Sequence, residues 1–493
     1  MASNLFRTKK LDELFDETEG VERLKRALGP IDLIALGIGA IIGAGIFTTT
    51  GTAAAGSLDR LGAGPALILS FVITGVACGF AALCYAELAS MIPIAGSAYT
   101  YSYATLGELI AWIIGWDLVL EYAVGNVAVA IGWSGYFVVL LEGFGITIPP
   151  WLTTEYQAGL ANPAILSAAP RLFGFPVLVN LPAAFSVAAI TIILVIGIKE
   201  SARFNTVMVA IKLVILLMFI GVGVSYVRPE HWHPFMPNGW AGVQAGAAIA
   251  FFSYIGFDAV STAAEEVKNP SRDLPIGMIG SLVICTILYI VVAAVLTGLV
   301  PYTQLNTADP LTTALQVLHI DWAVGLVAFG AVIATTAVLL VFQLGQARIC
   351  YSMARDGLLP KVFMRLHPTF KTPHVSTILI GIFVALPSAF FGIAEVVELT
   401  NIGTLFAFIL VCIGVIVLRR KDPDRPRPFR CPLVPAVPII GIGFCLYLML
   451  GLPRITWERF GIWLVVGLLL YFLYGRKRSA LKDSGLGVRE RTG

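Results

Sequence analysis

Apolar runs of about 20 residues recur along this chain, each long enough to cross a hydrocarbon core as one helix. Twelve stand out, near 31–55, 66–92, 105–141, 180–198, 203–226, 241–264, 276–299, 322–352, 375–392, 396–418, 435–452 and 460–475. Lipid offers no partner to an exposed peptide group, so the expected product is an all-α polytopic membrane protein. Composition agrees: 58% of residues are hydrophobic and 13% charged, where soluble domains carry about 25% charged. The third run is long and is expected to tilt or to extend beyond the bilayer. Residues 1–28 balance six basic against six acidic residues without an apolar core. They read as a tail with an amphipathic helix near 11–15, not as a cleaved signal peptide.

Twelve crossings return the C-terminus to the side of the N-terminus, and the basic residues say which side that is. The segments sharing the termini's side hold 27 Lys and Arg; the opposite side holds Arg60, Arg171, Arg228, Arg454 and Arg459. By the positive-inside rule both termini are expected in the cytoplasm, with the chain in the plasma membrane. The outside loop 142–179 has five prolines and little charge; it reads as a cap with no chemistry of its own. The proline-stiffened basic loop 419–430 reads as an orientation anchor at the lipid surface.

The first run contains a weakness. It carries Gly37, Gly39, Gly43 and Gly45, and glycine costs a helix interior about 1 kcal/mol relative to alanine. A break over 42–46 would leave backbone groups free to hold a ligand, although glycines also let helices pack closely. A second interruption lies in the sixth run, where Ser253, Gly256 and Asp258 interrupt an apolar stretch. The two are five runs apart, and an odd offset reverses direction through the membrane. Runs 1–5 and 6–10 therefore read as inverted repeats, each opening on a broken helix, which is the best sequence pointer to a transporter's midplane site.

Charges inside spans face a cavity or a partner. Lys212 lies nine residues into run 5, roughly 14 Å along the axis and too deep to snorkel. It reads as a proton carrier or as a fixed cation in place of a bound metal ion. Asp258 reads as its partner, as a gating acid, or as an N-cap for the second half-helix. Asp117 and Glu121 share one helical face; Glu121, beside Tyr122 and near Gly125 and Asn126, is favoured for the pocket. Glu87 reads as structural. Glu265, Glu266, Lys268, Arg272 and Asp273 form either an inner gate or a solvated cluster. Thr335 and Thr336, mid-run 8, are expected to bond their own helix.

Other chemistries lack their parts. No GxxxxGK[ST] phosphate loop and no HExxH zinc motif is present. Seven scattered cysteines form no CxxC pair, against a disulfide framework or metal site. No enzyme activity, metal, cofactor or nucleic-acid partner is expected.

GIGAIIGAGIF at 37–47, PIAGSAYTY at 93–101, FFSYIGFDAVSTAAEEVKNPSRDLPIGM at 251–278 and ARICYSMARDGLLP at 347–360 resemble the amino acid–polyamine–organocation superfamily. The likeness spans about 25–475, and the 251–278 motif looks like bacterial relatives of cationic amino acid transporters. It implies the leucine-transporter (LeuT) fold: two inverted five-helix repeats (29–226 and 227–420), two further helices (421–475), and cytoplasmic tails at 1–28 and 476–493. It implies that an amino acid carboxylate meets the N–H groups of Gly43, Ala44 and Gly45. The ammonium would meet carbonyls at Ile41 or Ile42 and around Phe252, Ser253 and Ile255, with Phe252 as an aromatic gate. Lys212 matches a lysine that replaces sodium in proton-coupled members, and Glu121 and Asp258 match acids used for substrate or proton handling. Span 8 matches loosely at 341–343, and the loop before span 4 looks expanded.

The combined expectation is import of L-amino acids with protons, the proton being the coupling ion. Exchange, polyamine transport and a non-transporting sensor are the alternatives. Which amino acids are carried, and whether a small single-span partner exists, is not legible in the sequence.

Overall fold

A computed structural model describes residues 7–8, 28–57, 60–92, 97–197, 202–370 and 372–480. The expected amphipathic helix near 11–15, residues 93–96 of the second motif and the C-terminal tail beyond 480 lie outside these. The described chain is almost wholly helical. Its first helices are α1 (Pro30–Ile41), α2 (Thr50–Ala55), α3 (Leu67–Met91), α4 (Ser97–Thr105), α5 (Glu108–Val119) and α6 (Gly125–Gly143). Two short loop helices follow, α7 (Tyr156–Ala161) and α8 (Pro163–Ala168), then α9 (Leu181–Ile196), α10 (Ala202–Gly223) and α11 (Gly239–Ala250). The remainder is α12 (Pro270–Leu299), α13 (Pro310–Val317), α14 (Asp321–Arg355), α15 (His374–Phe390), α16 (Ile393–Lys421), α17 (Ala436–Leu450) and α18 (Arg454–Leu470). The strands are two small hairpins in loops, β1–β2 (Gly56–Ser57, Arg60–Leu61) and β3–β4 (Arg171–Leu172, Phe175–Pro176).

Among the described residues, eight helices are long and apolar enough to span a membrane, or nine counting α1 and the segment Gly45–Ala55 as one bent crossing. Three further apolar helices, α9, α15 and α17, have 16, 17 and 15 residues. The protein is a polytopic membrane protein, and its polarity runs accordingly. Exposed positions on α9, α10 and α15 are large and apolar, while Lys212, Asp117, Glu121 and Asp258 are buried among the helices. Charge is costly in hydrocarbon, so the bundle keeps it inside.

The structure corrects the sequence reading at three places. Run 3 begins at Glu108, not 105, because Gly107 turns the chain at φ +98° and separates α4 from α5. The basic loop 419–430 is more than a lipid-surface anchor. Arg419 grips Glu87 through two bonds (3.0 and 2.7 Å) and Arg427 lies 3.3 Å from the same carboxylate, which also accepts the Cys431 N–H. Glu87 is structural, as expected: it staples α3 to α16 and the following loop. The start of the segment expected as the C-terminal tail packs against the bundle. The Ser479 and Tyr471 hydroxyls both donate to the buried carboxylate of Glu108 (2.5 and 3.0 Å), and the Ala480 N–H reaches the Asp356 carbonyl. All seven cysteines are free and buried.

Candidate functional site

The first glycine-rich run does break. Helix α1 closes on the Ile42 N–H, which donates to Ile38 O (2.9 Å), and Ile42 itself is extended at ψ 100°. The chain resumes after a 41° bend as a wide turn over Gly45–Thr49. Thr49 and Thr50 bond back to Gly45 O and Ile46 O (both 2.7 Å), covering carbonyls that the wide turn exposes. Among the described residues, the N–H groups of Gly43, Ala44 and Gly45 donate to no other segment. They are the orphan donors of a helix start, the ordinary cradle for an anion.

The sixth run breaks differently. Helix α11 tightens through 251–254, Ile255 is extended, Gly256 takes φ +115°, and a narrow helical stretch runs over Phe257–Glu266. Asn401 of α16 holds the end of α11 by donating to Ala248 O (2.7 Å) and Ile249 O (3.3 Å).

The two breaks nest against each other. A Cβ placed on Gly45 would lie 2.2 Å from Ser253 Cα, and one on Gly256 would lie 2.8 Å from Ala40 O. Backbone therefore meets backbone at both points. Phe252, Ser253 and Ile255 are buried beside this contact, and the Ser253 hydroxyl has no hydrogen-bond partner. The Ile41 carbonyl accepts the Tyr289 hydroxyl (3.0 Å), so of the two candidate carbonyls on the first break, Ile42's carries no such bond. Tyr289, on α12, had no signal beyond a lone hydroxyl in an apolar run.

Glu121 sits in a second irregular turn, Leu120–Val124, between α5 and α6. Wide turns of this kind interrupt helices most often at functional sites. Glu121, Asp117 and Asp258 are buried; both Asp117 oxygens lack a hydrogen-bond partner among the described residues, while Glu121 lies against Thr404 and Asp258 against the backbone N–H groups of Gly256, Asp258 and Ala259. Glu121 lies within electrostatic reach of both Asp258 and Asp117, and the Tyr85 hydroxyl, also unpartnered, faces Asp258 and Glu121. Unpaired buried carboxylates are costly, so this cluster marks room for water, protons or a cationic ligand. Gly125 extends the wall: a Cβ there would stand 3.3 Å from Phe342 and Thr400 and 3.7 Å from Phe252, bringing α6, α14, α16 and the second break to one point.

Lys212 is not part of that cluster. Its ammonium donates to Gly39 O (2.7 Å) behind the first break, beside Cys285, with no carboxylate within 4 Å among the described residues. The reading of Asp258 as its partner is therefore corrected. Gly256, not Asp258, occupies the N-cap position of the second half-helix; Asp258 lies in its first turn, with its carboxylate against the backbone N–H groups there. Thr335 and Thr336 bond their own helix as expected, and Thr336 also accepts the Trp133 N–H (2.8 Å), tying α14 to α6. On the termini's side, Leu28 pairs its backbone with Glu266 O and the Lys268 N–H, so the chain before α1 is stitched to the segment after the second break.

Comparison with known proteins agrees with the geometry. A family model described as amino acid permease matches residues 28–471. The branched-chain amino acid permease BcaP of Bacillus subtilis is 49% identical over 484 residues, covering 98% of this chain and 100% of that protein. A methylthioribose transporter of the same organism is 50% identical over 479 residues, covering 97% and 99%. A vacuolar cationic amino acid transporter 4 of Arabidopsis thaliana is 41% identical over 432 residues, covering 86% and 68%. These relatives are transporters, not enzymes.

Proposed function

Because this chain belongs to the amino acid permease family, we propose that it is a secondary transporter that imports L-amino acids with protons by alternating access. The observation that carries this reading is the nesting of the two breaks, Gly45 on Ser253 and Gly256 on Ala40. It sets free N–H donors and carbonyls around one point, with the Phe252 carbonyl also accepting the Ile255 N–H at 3.4 Å, which suits a carboxylate and an ammonium on the same carbon. The N–H groups of Gly43, Ala44 and Gly45 take the carboxylate; carbonyls at Ile42, Phe252, Ser253 and Ile255 take the ammonium. Phe252 closes over the ligand.

The architecture proposed is twelve spans in a LeuT-like arrangement, five plus five inverted, with two more at the C-terminus. Packing supports it: α3 lies on α12, α6 on α14 and α9 on α15, so helices five spans apart are partners. A two-fold axis between inverted halves brings such pairs together. Lys212 holds α1 by Gly39 O in its charged form, and losing its proton would weaken that hold, which couples protonation to the position of the first half-helix. Glu121 and Asp258 serve as further proton sites or as the counter-charge for a cationic side chain. The termini lie in the cytoplasm and the membrane is the plasma membrane.

A second reading rests on the methylthioribose relative, because that compound has neither ammonium nor carboxylate. Purified protein in proteoliposomes separates the readings. Under an imposed inward proton gradient, leucine or arginine accumulates and methylthioribose does not compete. Competition by methylthioribose alone overturns the amino acid assignment, flux only against internal substrate makes the protein an exchanger, and binding without flux makes it a sensor.

A further inference from the structure

The loop before α9 holds a feature that the transport site does not use. Strands β3 and β4 pair Leu172 with Phe175 and Arg171 with Pro176, joined by a two-residue turn. Both turn residues have positive φ, Phe173 at +51° and Gly174 at +87°. Such turns favour Asn-Gly, because a side chain with a Cβ pays roughly 1 kcal/mol or more in the left-handed region. Here the position holds phenylalanine, and its side chain is 91% exposed, the highest value among the exposed large apolar residues. Leu172 and Phe175 beside it are 62% and 71% exposed. The hairpin thus holds an aromatic ring in a disfavoured conformation and gives it almost nothing within the protein to touch.

Its place in the fold indicates the missing contact. Val179 N–H donates to Trp151 O (3.0 Å) and Asn180 N–H to Ala389 O (2.9 Å), fixing the hairpin's base at the entrance of α9 and the last turn of α15. On α9 the exposed residues Leu181, Phe185, Ile192 and Ile196 form one helical stripe, the lipid-facing one. On α15 the exposed edge ends in Phe390 and Phe391. The hairpin's exposed apolar side chains directly precede, in the chain, the anchored entrance of this face. Arg171, exposed at the hairpin base, has the charge that a lipid phosphate needs. Three side chains are too few for a stable contact between two copies, which takes about 800 Å² from each partner.

We propose that the hairpin 171–176 is an interfacial anchor, inserting Leu172, Phe173 and Phe175 at the headgroup–acyl boundary beside α9 and setting Arg171 against lipid phosphate. It pins the loop 144–180 to the rim of the bundle.

Spin labelling tests this on the full chain in phosphatidylethanolamine–phosphatidylglycerol vesicles. The native cysteines are all buried, so F173C is labelled selectively, with S167C in the same loop as the aqueous control. The ratio of collisions with oxygen to those with a water-soluble nickel chelate is expected to be several-fold higher at 173 than at 167. Equal ratios overturn the anchor. So does spin–spin broadening at 173 that vanishes on dilution with unlabelled protein, which would mean a second copy covers the hairpin. Because the label replaces the ring of interest, a second pair carries it at L172C with Phe173 or with F173N. Asparagine suits the turn, so the hairpin survives, and the ratio at 172 is expected to fall toward the aqueous value. A ratio unchanged by F173N removes Phe173 from the role.

Discussion

Lys212 shows how much one side chain can carry. Its ammonium spends its contact on a single carbonyl, Gly39 O, two residues upstream of the α1 terminus, and has no carboxylate to neutralise it among the described residues. A charge so placed is held by desolvated backbone, and that balance depends on its proton. Lys212→Met is expected to abolish proton-driven accumulation while substrate still stabilises the protein in a thermal-shift assay. A variant that concentrates substrate only when a pH gradient is imposed would sink the coupling role, and loss of all binding would make it structural. The glycines can be graded in the same way. Gly45→Ala drives a methyl into the Ser253 backbone, whereas an alanine at Gly79 meets nothing within 4 Å. The first should lose about 1–3 kcal/mol of stability and most uptake; the second should keep wild-type uptake and melting temperature. Equal behaviour of the two would separate the nested breaks from function.

Between elements, the decisive contacts are few and polar. The Glu87 carboxylate joins α3 to Arg419 at the end of α16 and to Arg427 in the loop that follows, and Arg427 is only 3% exposed at its side chain. Removing one partner of a buried pair leaves the other unpaired, at about 3 kcal/mol or more. Glu87→Gln should therefore lower the melting temperature by several degrees. The exposed pair Arg454–Glu458, 92% and 51% exposed, is screened by solvent, and Arg454→Ala should leave the melting temperature unchanged within error. If both variants melt alike, the staple is not what holds α3 to α16. The wide turn Leu120–Val124 belongs to this scale as well. It breaks the regular four-residue spacing between α5 and α6 at Glu121, which lies within electrostatic reach of Asp258.

Across the whole molecule, the twelve-span reading sorts charge by side: it puts most basic residues in loops on the termini's face and five in the opposite loops. With both termini in the cytoplasm, reporters active only in that compartment should be active at residues 1 and 493 and silent in the loop 144–180. Activity in that loop would invert the topology and with it the direction of proton-driven uptake. The packing of helices five spans apart ties the two halves into one body, so movement of α1 is bound to pull on the second break through Gly256 and Ala40.

The sequence by itself determined the class of solvent, the approximate crossings and both weak points. Apolar length, basic-residue bias and glycine act locally, and a local cause can be read in one dimension. Gly43, Gly45, Ser253 and Gly256 were legible for that reason, as was the depth of Lys212. Tertiary structure alone decided who meets whom. It parted Lys212 from Asp258, set Asp258 beside Glu121, filled the Ile41 carbonyl with Tyr289, and turned an apparent lipid anchor at Arg419 and Arg427 into a clamp on Glu87. Those pairings join residues more than a hundred positions apart. Their energy depends on distance and burial, which no spacing along the chain records.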